Sequence, residues 1–164
     1  MARVYLGLGS NQSPHRYVPA GLAALRQRYH LVAESPWYGS PALGFDGPDF
    51  VNLVVLIETD VPLTTLARQL KQLEREFGRP DDAVKFSSRN LDVDILLYDD
   101  LAGSFGALQL PRRDVYQFAF VLRPLLDLAP ALRCPESGGA LADWLPEVES
   151  QPLWLLPSSV SAVS

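Results

Sequence analysis

Four strand-like runs and two helical segments, in the order β-α-β-β-α-β, predict an α+β fold with a ferredoxin-like core and additional C-terminal elements. Three observations carry this. Runs rich in Val, Leu and Ile recur at 3–9, 30–39, 50–59 and 91–98. Apolar residues fall at helical spacing in 15–29 and 63–77. Fourteen prolines divide 164 residues, so the elements are short and the loops many.

The elements follow in order. "RVYLGLG" at 3–9 reads as a buried strand that breaks into Gly9-Ser10-Asn11. In 15–29, Val18, Leu22, Leu25 and Tyr29 share a helix face, and Pro19 is expected in the first turn. "HLVAESPWYG" at 30–39 reads as one strand, and 40–49 as a long loop dense in Gly and Pro. "FVNLVVLIET" at 50–59 is a strand. Leu66, Leu70, Leu73 and Phe77 define a helix over 63–77 that Gly78 stops. A polar loop, 79–89, leads to the strand "LDVDILLY". Beyond it, 108–130 reads as a short strand, a proline turn and a helix, and 131–156 as short pieces holding Trp144 and Trp154. One domain over 1–157 is expected, with 158–164 a flexible tail.

Bulk composition narrows the function. An apolar fraction of 48% supplies a core, and 20% charged residues argues against disorder. The net charge of −5, from 14 basic and 19 acidic residues, argues against a general nucleic-acid binder. It leaves room for a nucleotide enzyme, in which a metal and a few arginines handle phosphate. Cys134 is the only cysteine, so no disulfide framework or zinc cluster is expected and a cytoplasmic location fits. The N-terminus lacks the pattern of a signal peptide, and no run is apolar enough to span a membrane. Monomer or weak homodimer is the expected state.

The chemistry starts at "SRNLDVDILLYDD", 88–100. Asp92 and Asp94 alternate with Leu91, Val93 and Ile95. Both acids therefore share one strand face, with Cα atoms about 6.5–7 Å apart, and further along that face turns apolar at Leu96 and Tyr98. Two like charges at this distance raise each other's pKa unless a cation joins them. Mg²⁺ takes one or two carboxylates and completes its shell with phosphate oxygens. The same pair also suits a solvated edge strand, or partnership with Arg89 three residues earlier.

Other clusters fit a phosphate and a flat ring. Arg75, Arg79, Lys85 and Arg89 gather before the acidic pair, and Arg112-Arg113 and Arg123 form a second basic set. The planar guanidinium suits phosphate, although helix-end and surface charge accounts for such residues equally well. Phe50 and Asn52 follow the 40–49 loop, offering a stacking face and an amide that both donates and accepts. Each alone also suits a core ring and a turn residue. Together the sets suggest phosphoryl-type transfer from a nucleotide to a small cyclic acceptor. His15 and His30 have no catalytic context.

"GLGSN" at 7–11, "ALGFDGPDFVN" at 42–52, "LEREFGR" at 73–79, "SRNLDVDILLYDD" at 88–100 and "LP…D…FVLRPLLDLAP" at 110–130 resemble, in order and spacing, the 6-hydroxymethyl-7,8-dihydropterin pyrophosphokinases of folate biosynthesis. The resemblance covers about residues 3–150. It implies a ferredoxin-like core and transfer of diphosphate from ATP to the pterin hydroxymethyl group, giving AMP, with two Mg²⁺ ions. Carried over, it implies that Asp92 and Asp94 hold metal, and that Arg79 and Arg89 bind phosphate. Glu74, Lys85, Ile95, Arg112 and Arg113 are expected on the nucleotide side. Phe50 and Phe120 would sandwich the pterin, Asn52 would read its polar edge, and Ser40, Pro41 and Leu43 would line its pocket.

The chain also departs from the pattern. Ser87-Ser88 replace a Gly-Pro type element, Phe86 a frequent tryptophan, and Asp81 a loop arginine. Arg112 replaces a histidine and Phe118 an arginine. Three functions therefore stand: an active pyrophosphokinase, a homologue that holds a pterin with weak or no transfer, and a kinase of another small heterocycle. The Asp92/Asp94 pair favours an enzyme, because a pure pterin binder has no use for a metal site.

Overall fold

A computed structural model describes residues 1–78 and 90–157. Its centre is a six-stranded sheet ordered β5-β1-β4-β3-β8, with β2 also paired to β4. The strands are β1 (Ala2–Ser10), β2 (His30–Glu34), β3 (Tyr38–Ser40), β4 (Phe50–Thr59), β5 (Asp92–Tyr98) and β8 (Trp154–Leu155), and every pairing is antiparallel. A two-stranded ribbon, β6 (Gly103–Phe105) and β7 (Leu108–Leu110), stands apart. The fold is the expected ferredoxin-like one.

Two apolar layers cover the sheet. Beneath it lie α1 (Pro14–Arg28) and α2 (Leu63–Glu76). Val18, Leu22, Leu25, Leu66, Leu70 and Leu73 pack there on Val4, Leu6, Leu8, Val55, Val93 and Ile95. Above it lie α3 (Asp114–Gln117), α4 (Ala119–Leu128) and α5 (Leu145–Val148). Val115, Leu122, Leu125 and Val148 pack there on Tyr5, Val54, Leu56 and Leu96. The residues beyond 100 thus seal the second face. Among the described residues, no helix is long and apolar enough to cross a membrane.

Three local expectations are corrected. Helix α1 begins at Pro14, whose fixed φ suits the first helical position. Pro19 therefore lies inside the helix rather than in its first turn. The 30–39 strand is two strands, because Pro36 has no N–H for a ladder. The Ser35 hydroxyl takes over locally and accepts the Val54 N–H at 2.9 Å. Third, the alternation in β5 breaks: Leu6 pairs with Ile95 but Tyr5 pairs with Leu97, a bulge that leaves Leu96 as the extra residue. Leu96 and Leu97 consequently both join the upper core, while Tyr98 packs against the lower one. The acids precede the bulge, so their shared face survives.

Helix α2 ends as expected. Gly78 adopts φ +96°, and its N–H reaches the Arg75 carbonyl at 2.9 Å. The tail 158–164 and the segment 79–89 lie outside the described residues. With them go Arg79, Asp81, Lys85, Phe86, Ser87, Ser88 and Arg89.

Candidate active site

Where the upper layer stops short of the sheet edge, a cavity of about 450 Å³ remains, within the range of small-molecule pockets. Its floor is the upper face of three strands. Gly9 pairs with Asn52 on one side and Asp92 on the other, and Gly7 pairs likewise with Val54 and Asp94. Asp92, Gly9 and Asn52 thus form one row spanning two interstrand spacings, about 9.5–10 Å. The glycines keep this floor low. A Cβ on Gly7 would stand 3.3 Å from Leu96 Cδ2, and one on Gly9 3.6 Å from Asn52 Oδ1.

One end of the cavity is aromatic. Phe50 begins β4 and meets Phe45 edge-on, with ring centroids 6.4 Å apart. Across from them, Phe118 and Phe120 stack at 5.0 Å and 16° at the start of α4. Asn52 is 5% exposed and Ser40 3%. The Asn52 Nδ2 donates to Ser40 Oγ at 2.8 Å, which fixes the amide and leaves its Oδ1 beside Gly9. Pro41 and Leu43 complete the wall. Asn11 Nδ2 donates to the Pro48 carbonyl at 3.2 Å and ties the loop to the end of β1.

The other end is charged. Asp92, Asp94, Asp114 and Arg112 all line it. The Arg112 N–H donates to the Leu96 carbonyl at 2.9 Å, which roots the residue on β5. An Arg112 terminal nitrogen lies 3.8 Å from Asp94 Oδ2, and its Nε lies 3.3 Å from Asp114 Oδ2. The Nε contact is a charge contact, because it lacks hydrogen-bond alignment. Burial pushes the Arg112 guanidinium down from its ordinary pKa, but Asp94, Asp114 and Asp92 together outweigh it, so the net shift is upward. Arg112 stays charged. The donors fit a hard cation: two carboxylates on one face, beside room for phosphate oxygens.

The cavity therefore brings together Ser40, Pro41, Leu43, Phe50, Asn52, Asp92, Asp94, Arg112 and Phe120 from the expected set. Three expected nucleotide-side residues do not line it. The Ile95 side chain packs in the lower core, because its parity on β5 is opposite to that of the acids. Glu74 is buried on α2, and its Oε2 accepts the Val93 N–H at 2.8 Å, steadying the strand between the two aspartates. Arg113 turns outward to Glu136 at 2.8 Å and lies over the Tyr116 ring.

Sequence reasoning missed Gly7, Gly9, Phe45, Asp114 and Gln117 as lining residues, and read Phe118 only as a lost cation. The glycines were legible in principle, since they alternate with the core residues Leu6 and Leu8. Phe45 and Asp114 stand in the motifs at 42–52 and 110–130 but lie in segments without periodicity, so no role could be read for them until α3 and the 40–49 loop were placed.

Comparison with known proteins identifies the family. Residues 5–130 match the family described as 7,8-dihydro-6-hydroxymethylpterin-pyrophosphokinase. The chain is 41% identical over 138 residues to the 2-amino-4-hydroxy-6-hydroxymethyldihydropteridine pyrophosphokinase of Pseudomonas aeruginosa, covering 82% of this chain and 85% of the relative. The enzyme of the same name from Haemophilus influenzae is 38% identical over 141 residues, 84% and 88% of the two chains. That from Aquifex aeolicus is 32% identical over 154 residues, 93% and 96%. Among solved structures, wild-type Plasmodium falciparum HPPK-DHPS with SDX-DHP superposes with a TM-score of 0.66 at 12% identity. That match covers 90% of this chain and 43% of the larger one, so the chain spans under half of that protein and the likeness speaks to fold alone.

Proposed function

The chain belongs to the 7,8-dihydro-6-hydroxymethylpterin-pyrophosphokinase family, and we propose that the cavity above β1, β4 and β5 is its active site. The reaction is transfer of pyrophosphate from ATP to hydroxymethyldihydropterin in folate biosynthesis, with ATP as co-substrate. One observation carries the assignment to this cavity. A fixed amide, an aromatic pair and a carboxylate pair share one glycine-floored face, about 10 Å from end to end.

The aromatic end takes the pterin. Phe50 and Phe120 supply stacking faces, and the Asn52 amide, held by Ser40, presents a fixed polar edge to the ring. The hydroxymethyl group then projects along the Gly9 row toward the acids. Asp92 and Asp94 would hold two Mg²⁺ ions, which when bound neutralise charge on the transferring phosphates. Arg112 adds a cation at the same end. Arg79, Lys85 and Arg89 are assigned to phosphate from their place in the sequence pattern alone. The protein's own contribution is positioning and charge placement, which is most of what phosphoryl transfer requires. The proposal includes one catalytic domain over 1–157, action as a monomer or weak homodimer, and a cytoplasmic location, which the single unpaired Cys134 suits.

The deciding experiment incubates the protein with Mg²⁺, ATP and 6-hydroxymethyl-7,8-dihydropterin. Formation of AMP with pterin diphosphate is expected. Pterin binding without AMP would replace the assignment with that of a pterin-holding homologue, and ADP as the product would mark a different kinase.

A further inference from the structure

The charged end of the cavity carries an arrangement that substrate binding alone does not explain. Arg112 leans on the side of the pocket assigned to metal, 3.8 Å from Asp94 and 3.3 Å from Asp114. Its root is fixed by the bond from its N–H to the Leu96 carbonyl, so only the side chain is left to move. Its contact to Asp94 is longer than a hydrogen bond, and among the described residues its buried Nε has no aligned partner. The charges of Asp94, Asp114 and Asp92 hold this cation, with only a poorly aligned contact at Asp114.

We propose that Arg112 is an internal counter-ion that a divalent cation must displace from Asp94, and that it then turns to the phosphate oxygens, so that metal and nucleotide binding are coupled through this side chain. The inference rests on the assignment of Asp92 and Asp94 as metal ligands. A metal ion and a guanidinium compete for the same carboxylate oxygens, and the guanidinium cannot give up its charge to make way. A bare cation therefore arrives against repulsion. A cation that arrives with a triphosphate supplies the displaced guanidinium with planar, bidentate acceptors. Each ligand then favours the other by the same factor, as linkage requires. Arg113, one residue on, cannot serve, because Glu136 and the Tyr116 ring hold it outside the cavity.

The test uses Mn²⁺ as the probe, with free Mn²⁺ followed by electron paramagnetic resonance, in the presence and absence of a methylene-bridged ATP analogue. Wild type is expected to bind Mn²⁺ weakly alone and more tightly with the analogue. Arg112→Gln should bind Mn²⁺ alone about 5- to 10-fold more tightly, with a correspondingly smaller enhancement by the analogue; this lies at the low end of the range for coupled sites. Arg112→Lys, which keeps the charge but loses the fork, should resemble wild type with Mn²⁺ alone and show a reduced enhancement. It serves as the test if the Gln variant does not fold. Arg26→Gln, which removes the same charge from α1 across the sheet, should leave Mn²⁺ affinity unchanged. Unchanged or weaker Mn²⁺ binding in Arg112→Gln overturns the counter-ion role, and so does a wild-type enhancement in Arg112→Lys. If wild type takes no Mn²⁺ even with the analogue, the metal assignment of Asp92 and Asp94 falls, and the counter-ion role falls with it.

Discussion

The two ends of the cavity are built in opposite ways. The aromatic end holds its shape with neutral contacts: the buried Asn52–Ser40 hydrogen bond and two half-buried ring pairs. The charged end holds side chains that remain partly in water, with Asp94 37% and Arg112 36% exposed, and balances them against each other. A neutral hydrogen bond can be sealed at little cost once both partners are satisfied, whereas a sealed charge keeps a desolvation penalty. The aromatic end is therefore ready for its ring before substrate arrives. The charged end pairs Arg112 with Asp94 and Asp114, and on the proposed assignment it would exchange these partners for metal and phosphate. On that assignment, binding energy at the first end would select the substrate, and rearrangement at the second would prepare the transfer.

The widest gap between the ends should open when a carboxylate is neutralised without changing its shape. Asp92→Asn or Asp94→Asn removes the charge proposed to hold metal, which would be worth several kcal/mol in the transition state. At about tenfold per 1.4 kcal/mol, turnover should fall by on the order of 10³ or more while pterin affinity stays close to wild type. Turnover by quenched flow and pterin binding by calorimetry check the two halves. Near-normal turnover in either variant would remove the metal site from β5.

A smaller effect of the opposite kind is expected at Asn52. Truncating it to Ala removes a fixed amide and leaves Ser40 buried without its partner. The cost is about 1–3 kcal/mol, or roughly 5- to 150-fold in pterin affinity. Binding of the ATP analogue should be untouched. Equal losses for both ligands would mean the two ends do not act separately. Phe120→Leu comes next. It keeps apolar bulk but loses a stacking face worth about 0.5–1.5 kcal/mol, so pterin affinity should drop by about 2- to 12-fold, again read by calorimetry.

Why the ends differ in kind was largely legible in the sequence, but the details of the charged end were not. The acids on one strand face follow from period-two alternation and needed no tertiary information. Phe50 and Asn52 stood out where the 40–49 loop enters its strand, and Phe120 came with the family pattern. The bulge at Leu96 left no mark in composition, since any apolar residue could occupy it; it arises from how β5 pairs with β1. Arg112 and Arg113 are the same residue type at neighbouring positions. What separates them is the outward pull of Glu136, 23 residues further along the chain, and the tie of the Arg112 backbone to Leu96. The β2/β3 break was signalled by Pro36, which a strand reading of 30–39 passed over.

Phe118 tests whether the division between the ends is real at its boundary. The family pattern leads one to expect a cation there, so it would count with the charged end. Its ring instead stacks on Phe120 at 5.0 Å and 16°, which counts it with the aromatic end as a support behind a substrate-facing ring. The two views separate in Phe118→Leu, which preserves an apolar wall and introduces no charge. If Phe118 supports Phe120, its loss loosens that ring by part of a stacking interaction, about 0.5–1.5 kcal/mol in full. Pterin affinity should then fall by no more than about threefold, the smallest change expected here, while affinity for the ATP analogue in Mg²⁺ is unaltered. Because Phe120 is the route of the effect, Phe118→Leu placed on Phe120→Leu should add almost nothing, a double-mutant signature that two independent contacts would not give. Additive losses would make Phe118 a direct contact to the pterin. A change confined to the ATP analogue would move it to the charged end and redraw the boundary between the two.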